Sequence, residues 1–187
     1  INYDALSVQA YAVGPEDWLA YRTYLQKADR TDDPPDPPGR RVMNKRVSVE
    51  KDADRLVETA IDLSGLLEEG RGHLILVIEP ERNVLSSLKR RYRPQVIRVW
   101  VQASDIALDA FVESEEMLAW ATSLTDGTPL KGVSLELLPG KAAATTDSDG
   151  LARLTLPKAD DGAIVLVARH GKETAVLPPT GNRWGGG

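Results

Sequence analysis

The feature that most constrains the fold lies in residues 96–156, where short apolar runs are separated by turn signals at close, regular intervals. This pattern is typical of an all-β sandwich. Every second residue from Ile106 to Val112 is apolar, whereas Asp109 and Glu113 belong to the opposite face of an extended strand. The stretch therefore predicts an immunoglobulin-like β-domain, and that architecture alone names no function.

Two further strands and two sharp turns follow in the same stretch. In residues 117–122 apolar side chains occupy both alternating sets of positions, which predicts a strand with both faces at least partly covered. Turns are predicted at residues 125–129 and 147–150, because Gly supplies positive φ and Pro fixes its own φ. A third strand is predicted from the alternation of Val133, Leu135 and Leu137.

The first half of the chain predicts a second β-domain that contains one short helix. Pro15 and two acidic residues precede apolar residues at helical spacing, so we expect an amphipathic helix to about residue 27. The Pro-rich residues 32–39 predict a stiff loop within this domain. Ser64 is expected to cap a single helical turn. Strands are predicted at residues 6–13, 41–49, 55–63, 73–79 (central and buried) and 96–102.

The expected fold class is all-β, with two consecutive immunoglobulin or fibronectin-III-like β-sandwich domains. The first spans residues 1–102 and carries the helix and the Pro-rich loop. The second spans residues 103–180 and ends with strands at 164–168 and 174–177, which a turn at 170–172 joins. Residues 181–187 are expected to form a loose tail, because they are Gly-rich.

Composition excludes several classes of function. The net charge of −5 argues against nucleic acid as a partner. The absence of Cys removes disulfides, thiolate nucleophiles and Cys-based zinc sites. No apolar run approaches the roughly 20 residues needed to span a bilayer, so no membrane insertion by this chain is expected. Because the sequence begins with Ile1 and ends in a Gly run, we expect a piece of a longer polypeptide.

Neither histidine predicts a catalytic site. His73 opens a core strand and His170 lies in a hairpin turn, and no Gly-x-Ser-x-Gly elbow occurs. We therefore assign no catalytic residue and expect that the chain is not an enzyme.

Residues 147–150 resemble a fragment of a calcium loop, because Asp147 and Asp149 precede Gly150. A complete loop needs a bidentate Glu at its twelfth position, and Lys158 stands there. A β-turn with Gly at positive φ explains the same residues, and the same holds for residues 160–162. We predict no metal site and no cofactor.

Aromatic and basic clusters have structural explanations too. Trp100 and Trp120 are predicted to pack in the core or between sheets, and Trp18 belongs to the helical stripe. The basic run at residues 89–93 holds a single aromatic residue, so a solvated loop is favoured over a nucleic-acid or phosphate site.

The same residues resemble a known family, the bacterial α2-macroglobulins. The similarity is carried by two Trp-bearing strands followed by a Gly-x-Pro-x-x-Gly-Val turn at residues 127–133 and an Asp-containing turn. Looser similarity extends upstream, so that it covers most of the chain. The matching positions are Trp100, Gln102, Leu108, Asp109, Ala110, Phe111, Leu118, Trp120, Asp126, Gly127, Pro129, Gly132, Asp147, Asp149 and Gly150.

The resemblance implies macroglobulin-like domains that serve as structural framework of a periplasmic protease trap. It implies target proteases as partners through the full-length protein, a periplasmic penicillin-binding protein as a further partner, and a lipid anchor in the parent protein. Family members with a reactive thioester carry it in a Cys-x-Glu-Gln motif, which a chain without Cys does not contain.

A binding module is the alternative class, such as an adhesin or a carbohydrate-binding pair of β-domains. An exposed, coplanar pair of aromatic residues on one sheet would favour it, and buried Trp100 and Trp120 would count against it. The sequence specifies neither the proteases nor the partner-binding surface.

Overall fold

The structure, a computed structural model, describes residues 3–31, 34–50, 57–81, 95–140, 142–156 and 165–179. One helix, α1 (Trp18–Ala28), follows a 3₁₀ turn at Pro15–Asp17. The strands are β1 (Ala5–Val13), β2 (Arg40–Ser48), β3 (Gly72–Pro80), β4 (Ile97–Ala103), β5 (Ile106–Glu113), β6 (Glu116–Ser123), β7 (Ser134–Leu138), β8 (Ala143–Thr145), β9 (Leu151–Thr155), β10 (Val165–His170) and β11 (Glu173–Leu177). The expected all-β class with one short helix is confirmed.

The chain divides into two compact units. The first contains residues 1–13 and 24–101, and the second contains residues 14–23 and 102–187. Helix α1 therefore contributes its first residues to the second unit and its remaining residues to the first.

The described part of the first unit contains a four-stranded sheet in the order β2-β1-β3-β4. Strand β1 pairs antiparallel with β2 and with β3. Strand β3 lies between β1 and β4, so it is central as predicted, and its residues 73–77 are buried. On one face, Val8, Ala10, Met43 and Leu76 form a core on which Ile61 and other residues of an irregular segment pack. The sheet is thus covered on this face by chain without regular structure.

The opposite face carries polar contacts from β4. Trp100 Nε1 donates a hydrogen bond to His73 Nδ1 at 3.2 Å, with the two rings tilted at 5.6 Å between centroids. Arg98 Nε donates to the hydroxyl of Tyr24, a residue of α1, at 3.0 Å. Burial raises the pKa of the Tyr24 hydroxyl, and the hydrogen bond to Arg98 opposes that change.

Two predictions for this unit are wrong. Residues 57–63 of the expected strand at 55–63 have no strand structure, and the remaining two lie outside the described residues. These residues pack on the sheet through Ile61 and Leu63 instead of pairing with it. Ser64 is not a cap: the 3₁₀ turn begins at Ser64, whose N–H and hydroxyl both donate to Asp62 Oδ1 at 2.9 and 2.7 Å.

The second unit contains two sheets with a common core. One has the order β5-β6-β9 and the other β11-β10-β7-β8. Side chains from both sheets form one buried cluster, as expected for a sandwich. Its largest fully buried members include Met117, Leu135, Leu137 and Leu166. The third strand predicted from the alternation of Val133, Leu135 and Leu137 is β7, and these three residues are fully buried.

The chain crosses from one sheet to the other between β6 and β7 and again between β8 and β9. Hydrogen bonds of Thr146 link these two crossings. The hydroxyl of Thr146 donates to the carbonyl of Leu130 at 2.6 Å and accepts from the N–H of Val133 at 2.9 Å. Thr146 is 3% exposed. Leu130 and Val133 belong to the connection from β6 to β7, and Thr146 belongs to the connection from β8 to β9. The hydroxyl thus fixes one crossing against the other.

Gly150 brings the second crossing against β6. Its φ is +74°, and a Cβ placed there would lie 2.4 Å from the carbonyl oxygen of Ala121. That close approach lets the Ala121 N–H donate to the Gly150 carbonyl at 2.9 Å. The turn was predicted from Gly and Asp, and the structure adds the steric reason that Gly is required.

The edges of the sandwich are joined by Glu173 at the start of β11. Its Oε2 accepts hydrogen bonds from Ser104 Oγ at 3.1 Å and from the N–H of Asp105 at 3.0 Å, just before β5. The 3₁₀ turn at Pro15–Asp17 also contacts β11.

Replacing Thr146 with Val should lower the free energy of unfolding of the second unit by about 1–3 kcal/mol. Val has nearly the same shape but leaves the Val133 N–H and the Leu130 carbonyl without this partner. The matched control is Thr145→Val on the exposed end of β8, expected to change stability by less than about 0.5 kcal/mol. Denaturant unfolding measures both, and equal losses would contradict the proposed role of the hydroxyl.

Replacing Gly150 with Ala should destabilise the second unit more than Gly127→Ala. Both glycines have φ near +75°, so both substitutions introduce similar backbone strain of about 1 kcal/mol. Only Gly150 has neighbouring atoms in the path of the new Cβ, whereas none lies within 4 Å at Gly127. An additional loss of at least about 1 kcal/mol at Gly150 is expected in thermal unfolding. Indistinguishable variants would show that the contact with Ala121 relaxes freely.

Candidate functional site

The candidate site is the outer face of the β5–β6–β9 sheet, on the side opposite the core. It consists of alternate residues of each strand, which share one side because side chains alternate along a strand. The members are Asp109, Phe111 and Glu113 of β5, Glu116, Leu118 and Trp120 of β6, and Leu151 and Arg153 of β9.

Large apolar side chains are exposed on this outer face. Phe111 is 60% exposed and Trp120 is 42% exposed, whereas Leu118 is half-buried. Single exposed apolar residues are normal on a protein surface, whereas large contiguous apolar patches are typical of surfaces that bind another molecule.

Strand register brings these side chains together. Phe111 lies opposite Leu118, which in turn lies opposite Arg153 on β9. In the next row Asp109 lies opposite Trp120, which lies opposite Leu151. Directly opposite residues of an antiparallel pair have Cβ atoms about 4.5–5.5 Å apart, so each row is a continuous surface.

A groove of about 700 Å³ opens at the hairpin end of this sheet. It is lined by Phe111, Val112, Glu113, Ser114, Glu115, Glu116, Leu118 and Arg153. Ser114 has a φ of 55° in the tight turn between β5 and β6, a position that Gly commonly occupies in such turns. The turn is also anchored to β9, because the N–H of Leu156 donates to the Glu115 carbonyl at 2.8 Å. The groove thus lies at the turn between β5 and β6, and a backbone hydrogen bond joins this turn to the residue after β9.

The rim of the groove is acidic. Glu113, Glu115 and Glu116 surround it, and Asp109 lies one row away. Arg153 is the basic residue among the lining side chains, and its Nη1 lies 3.6 Å from Glu116 Oε2. Both partners of this ion pair are exposed, so it adds little to stability, but it reduces the free positive charge at the groove. The groove thus combines apolar side chains with a mainly acidic rim.

The prediction that Trp120 packs in the core is wrong. Met117, Ala119 and Ala121 are the inward residues of β6 and are fully buried, so Trp120 of the opposite parity faces outward. Phe111 was not singled out, although the same alternation that places Ile106 and Leu108 on the core side places Phe111 on the other. Strand parity could therefore have located Phe111, whereas its row with Leu118 and Arg153 depends on strand pairing.

Of the residues weighed as catalytic or carbohydrate-binding candidates, Trp120 lies on this face, whereas His73, His170 and Trp100 do not. His73 is 4% exposed and bonded to Trp100, which is half-buried in the first unit. His170 is an exposed residue at the end of β10, opposite Glu173. Residues 82–94 with the basic run, residues 157–164 with the second Asp-Gly turn, and Trp184 lie outside the described residues.

The carboxylates of the predicted turns serve as hydrogen-bond acceptors within those turns. Asp147 Oδ1 accepts from the N–H groups of Asp149 and Leu151 at 2.9 and 3.0 Å. Asp126 accepts from the N–H and the hydroxyl of Thr128, and these bonds lower the pKa of Asp126. Within the described residues, His, Asp and Glu form no group of three that could hold a metal ion.

Helices in the described parts of the chain include none with the length and apolar character that a membrane crossing requires.

Replacing Phe111 with Ser should leave the stability of the second unit within about 0.5 kcal/mol, because Phe111 is 60% exposed. The control is Leu135→Ala in the core, expected to cost about 2–5 kcal/mol because Leu135 is fully buried. Urea unfolding compares the two. A large loss for Phe111→Ser would mean that this face contributes to the fold instead of being available to a partner.

Comparison with known proteins finds a family model similar to part of the second unit. Residues 103–183 match the family model described as the bacterial alpha-2-macroglobulin MG3 domain. No curated protein matches the sequence.

Solved structures share the fold of nearly the whole chain. A crystal structure of native alpha-2-macroglobulin from Escherichia coli spanning domains NIE-MG1 is 19% identical, with a TM-score of 0.66, covering 95% of this chain and 85% of that one. A second, spanning domains MG0-NIE-MG1, is 20% identical, with a TM-score of 0.65 and 96% of this chain covered. This chain spans 56% of the length of that relative.

The cryo-EM reconstruction of the native conformation of Escherichia coli alpha-2-macroglobulin is also similar. It is 19% identical with a TM-score of 0.55, and the match covers 95% of this chain but 11% of that chain. The matched structure is thus several times longer than the segment that resembles this chain.

Proposed function

We propose that this chain, whose residues 103–183 belong to the bacterial alpha-2-macroglobulin MG3 domain family, is structural framework of a larger bacterial protease inhibitor. The family match over the second unit is the observation that carries the proposal. The fold likeness of both units to alpha-2-macroglobulin structures supports it. In this role the chain positions other domains and performs no chemistry itself.

The proposal extends to the parent protein. A protease cuts an exposed segment elsewhere in that protein, and the multidomain body then encloses the protease. Each unit of this chain is only a few nanometres across by the usual scaling of domain radius, so neither can surround a protease alone. The sequence holds no Cys, so a thioester would lie outside it.

The test compares the chain alone with the parent polypeptide that contains it. Each is added in excess to a protease, and hydrolysis of casein and of a short chromogenic peptide is followed. The parent should protect casein while the short peptide is still cleaved, and the chain alone should protect neither. A parent with Gly150→Val should lose protection at temperatures where its second unit unfolds.

Protection of casein by the chain alone would mean that the trap resides here and that the framework assignment is wrong. A folded parent that protects no protein substrate would reject the protease-inhibitor function itself.

The proposed setting is the periplasm, with the parent anchored to the membrane through a lipid and in contact with a penicillin-binding protein. Fractionation of cells that carry a tagged parent tests the location. Fluorescent penicillin labelling of co-purified proteins tests the partner. Recovery in the cytosol, or purification without any labelled protein, would reject the corresponding part.

A β-sandwich binding module remains the second candidate because of a specific observation. Phe111 and Trp120 are exposed on neighbouring strands of one sheet, and exposed aromatic residues on one sheet are one part of the feature expected of an adhesin or carbohydrate-binding surface. Titration with neutral oligosaccharides tests this function, and unchanged spectra at millimolar concentrations would reject it.

A further inference from the structure

We propose that the outer face of the β5–β6–β9 sheet binds an extended peptide segment of another protein, in which two apolar residues alternate with small ones and a basic residue follows. This inference goes beyond the framework function and does not depend on it. It rests on the order of side chains along the two strands that carry the exposed aromatic residues.

Along β6 the outward residues change from apolar to acidic in regular steps. Trp120 comes first, Leu118 lies two residues away, and Glu116 follows at the hairpin. Along β5 the antiparallel partners are Asp109 beside Trp120, Phe111 beside Leu118 and Glu113 beside Glu116, so the apolar and acidic positions next to the hairpin are matched on both strands. Residues two apart in a strand are about 6.6–6.8 Å apart.

An extended peptide has the same spacing between alternate side chains. A segment lying along β6 can therefore place one apolar side chain at Trp120, a second between Phe111 and Leu118, and the next outward residue between Glu113 and Glu116. The last position calls for Lys or Arg, because Glu113 flanks it and Glu115 lies beside it, while the carboxylate of Glu116 already lies 3.6 Å from Arg153.

The charge of the groove selects the sign of the partner. Arg153 is the basic side chain among the lining residues and already lies 3.6 Å from Glu116. An acidic segment would bring its carboxylates against Glu113 and Glu115, and such like-charge contacts disfavour binding. A basic segment would instead place its positive charge beside Glu113 and Glu115, in the row next to Phe111 and Leu118.

Binding on the face is favoured over strand addition at the edge of the sheet. Strand β5 is an edge strand, and the carboxylate of Asp109 accepts a hydrogen bond from the N–H of Ala110 at 2.7 Å. That bond occupies a backbone donor which an added strand would need, and charged side chains on edge strands discourage such pairing. The side chains of the face are therefore the recognition surface.

The experiment titrates the isotopically labelled chain with capped heptapeptides and follows backbone amide resonances. The first probe contains leucine, serine, phenylalanine, serine, lysine, serine and lysine in that order. Matched probes replace both lysines with glutamate, replace leucine and phenylalanine with serine, or cluster the apolar residues with unchanged composition. The alternating basic probe should bind most tightly and shift resonances of β5 and β6.

Variants locate the contact. Phe111→Ser should weaken binding of the basic probe at least about tenfold, as expected for removal of a central aromatic contact. Glu113→Lys should weaken the lysine probe and strengthen the glutamate probe. The matched control is Leu124→Ser, which removes another exposed apolar residue, 65% exposed, beyond the far end of β6, and should change affinity less than about twofold.

Several results would overturn the proposal. Equal affinity for the lysine and glutamate probes would remove the charge argument, and unchanged affinity in Phe111→Ser would place binding elsewhere. Shifts of these resonances with chitohexaose but with none of the peptides would assign the face to carbohydrate. An absence of binding by every probe at millimolar concentration would reject a docking function for this face.

Discussion

The hydroxyl of Thr146 is the interaction on which the architecture of the second unit depends. A sandwich requires its chain to cross between sheets, and each crossing leaves backbone groups without a strand partner. Thr146 satisfies one donor and one acceptor of the neighbouring crossing, while its own N–H donates to the Val133 carbonyl at 3.1 Å. Gly150 then permits backbone contact with β6 that any side chain would block. These contacts set how the two sheets meet, and the buried apolar cluster fills the space between them.

The side chains on the outer face of the β5–β6–β9 sheet are not part of this buried core. Stability comes from the inward residues, such as Met117 and Leu135, which are fully buried. Phe111 and Trp120 contribute little to that core, yet large aromatic residues exposed to water favour aggregation unless a partner covers them. A face with ordered apolar and acidic positions provides specificity for contact with a segment of another protein.

Alternation and turn chemistry predicted much of the second unit. Positions 133, 135 and 137 alternate with polar residues, so their strand was predicted directly, and the turn at Gly150 was predicted from its Asp and Gly residues. Strand β8 was missed because Ala143 and Ala144 give no alternation. Trp120 was placed wrongly because apolar residues occupy both alternating sets of positions in β6, so alternation alone does not show that Met117, Ala119 and Ala121 are the inward residues. The expected strand at 55–63 failed because alternation does not show whether a segment finds a partner strand.

The candidate site and the contacts of Thr146 could not be predicted from the sequence, for a different reason. Leu130 and Thr146 are separated by many residues, and Arg153 meets Phe111 only through Leu118 on the strand between them. Such neighbours depend on strand order and register, which a single sequence does not specify. The alternation of residues along β5 was sufficient to predict that Phe111 faces outward, but it did not predict the acidic groove at the hairpin.

Amide hydrogen exchange of the second unit tests the central claim most directly, namely that the crossings hold the fold and the outer face is left for a partner. The N–H groups of Val133, Thr146 and Ala121 should exchange only through global unfolding, as slowly as the core strands β7 and β10. Amides at the hairpin end between Glu113 and Glu116 should exchange at least about 100-fold faster through local opening. Rapid exchange at Val133 and Thr146, with the hairpin protected as strongly as the core, would contradict the account.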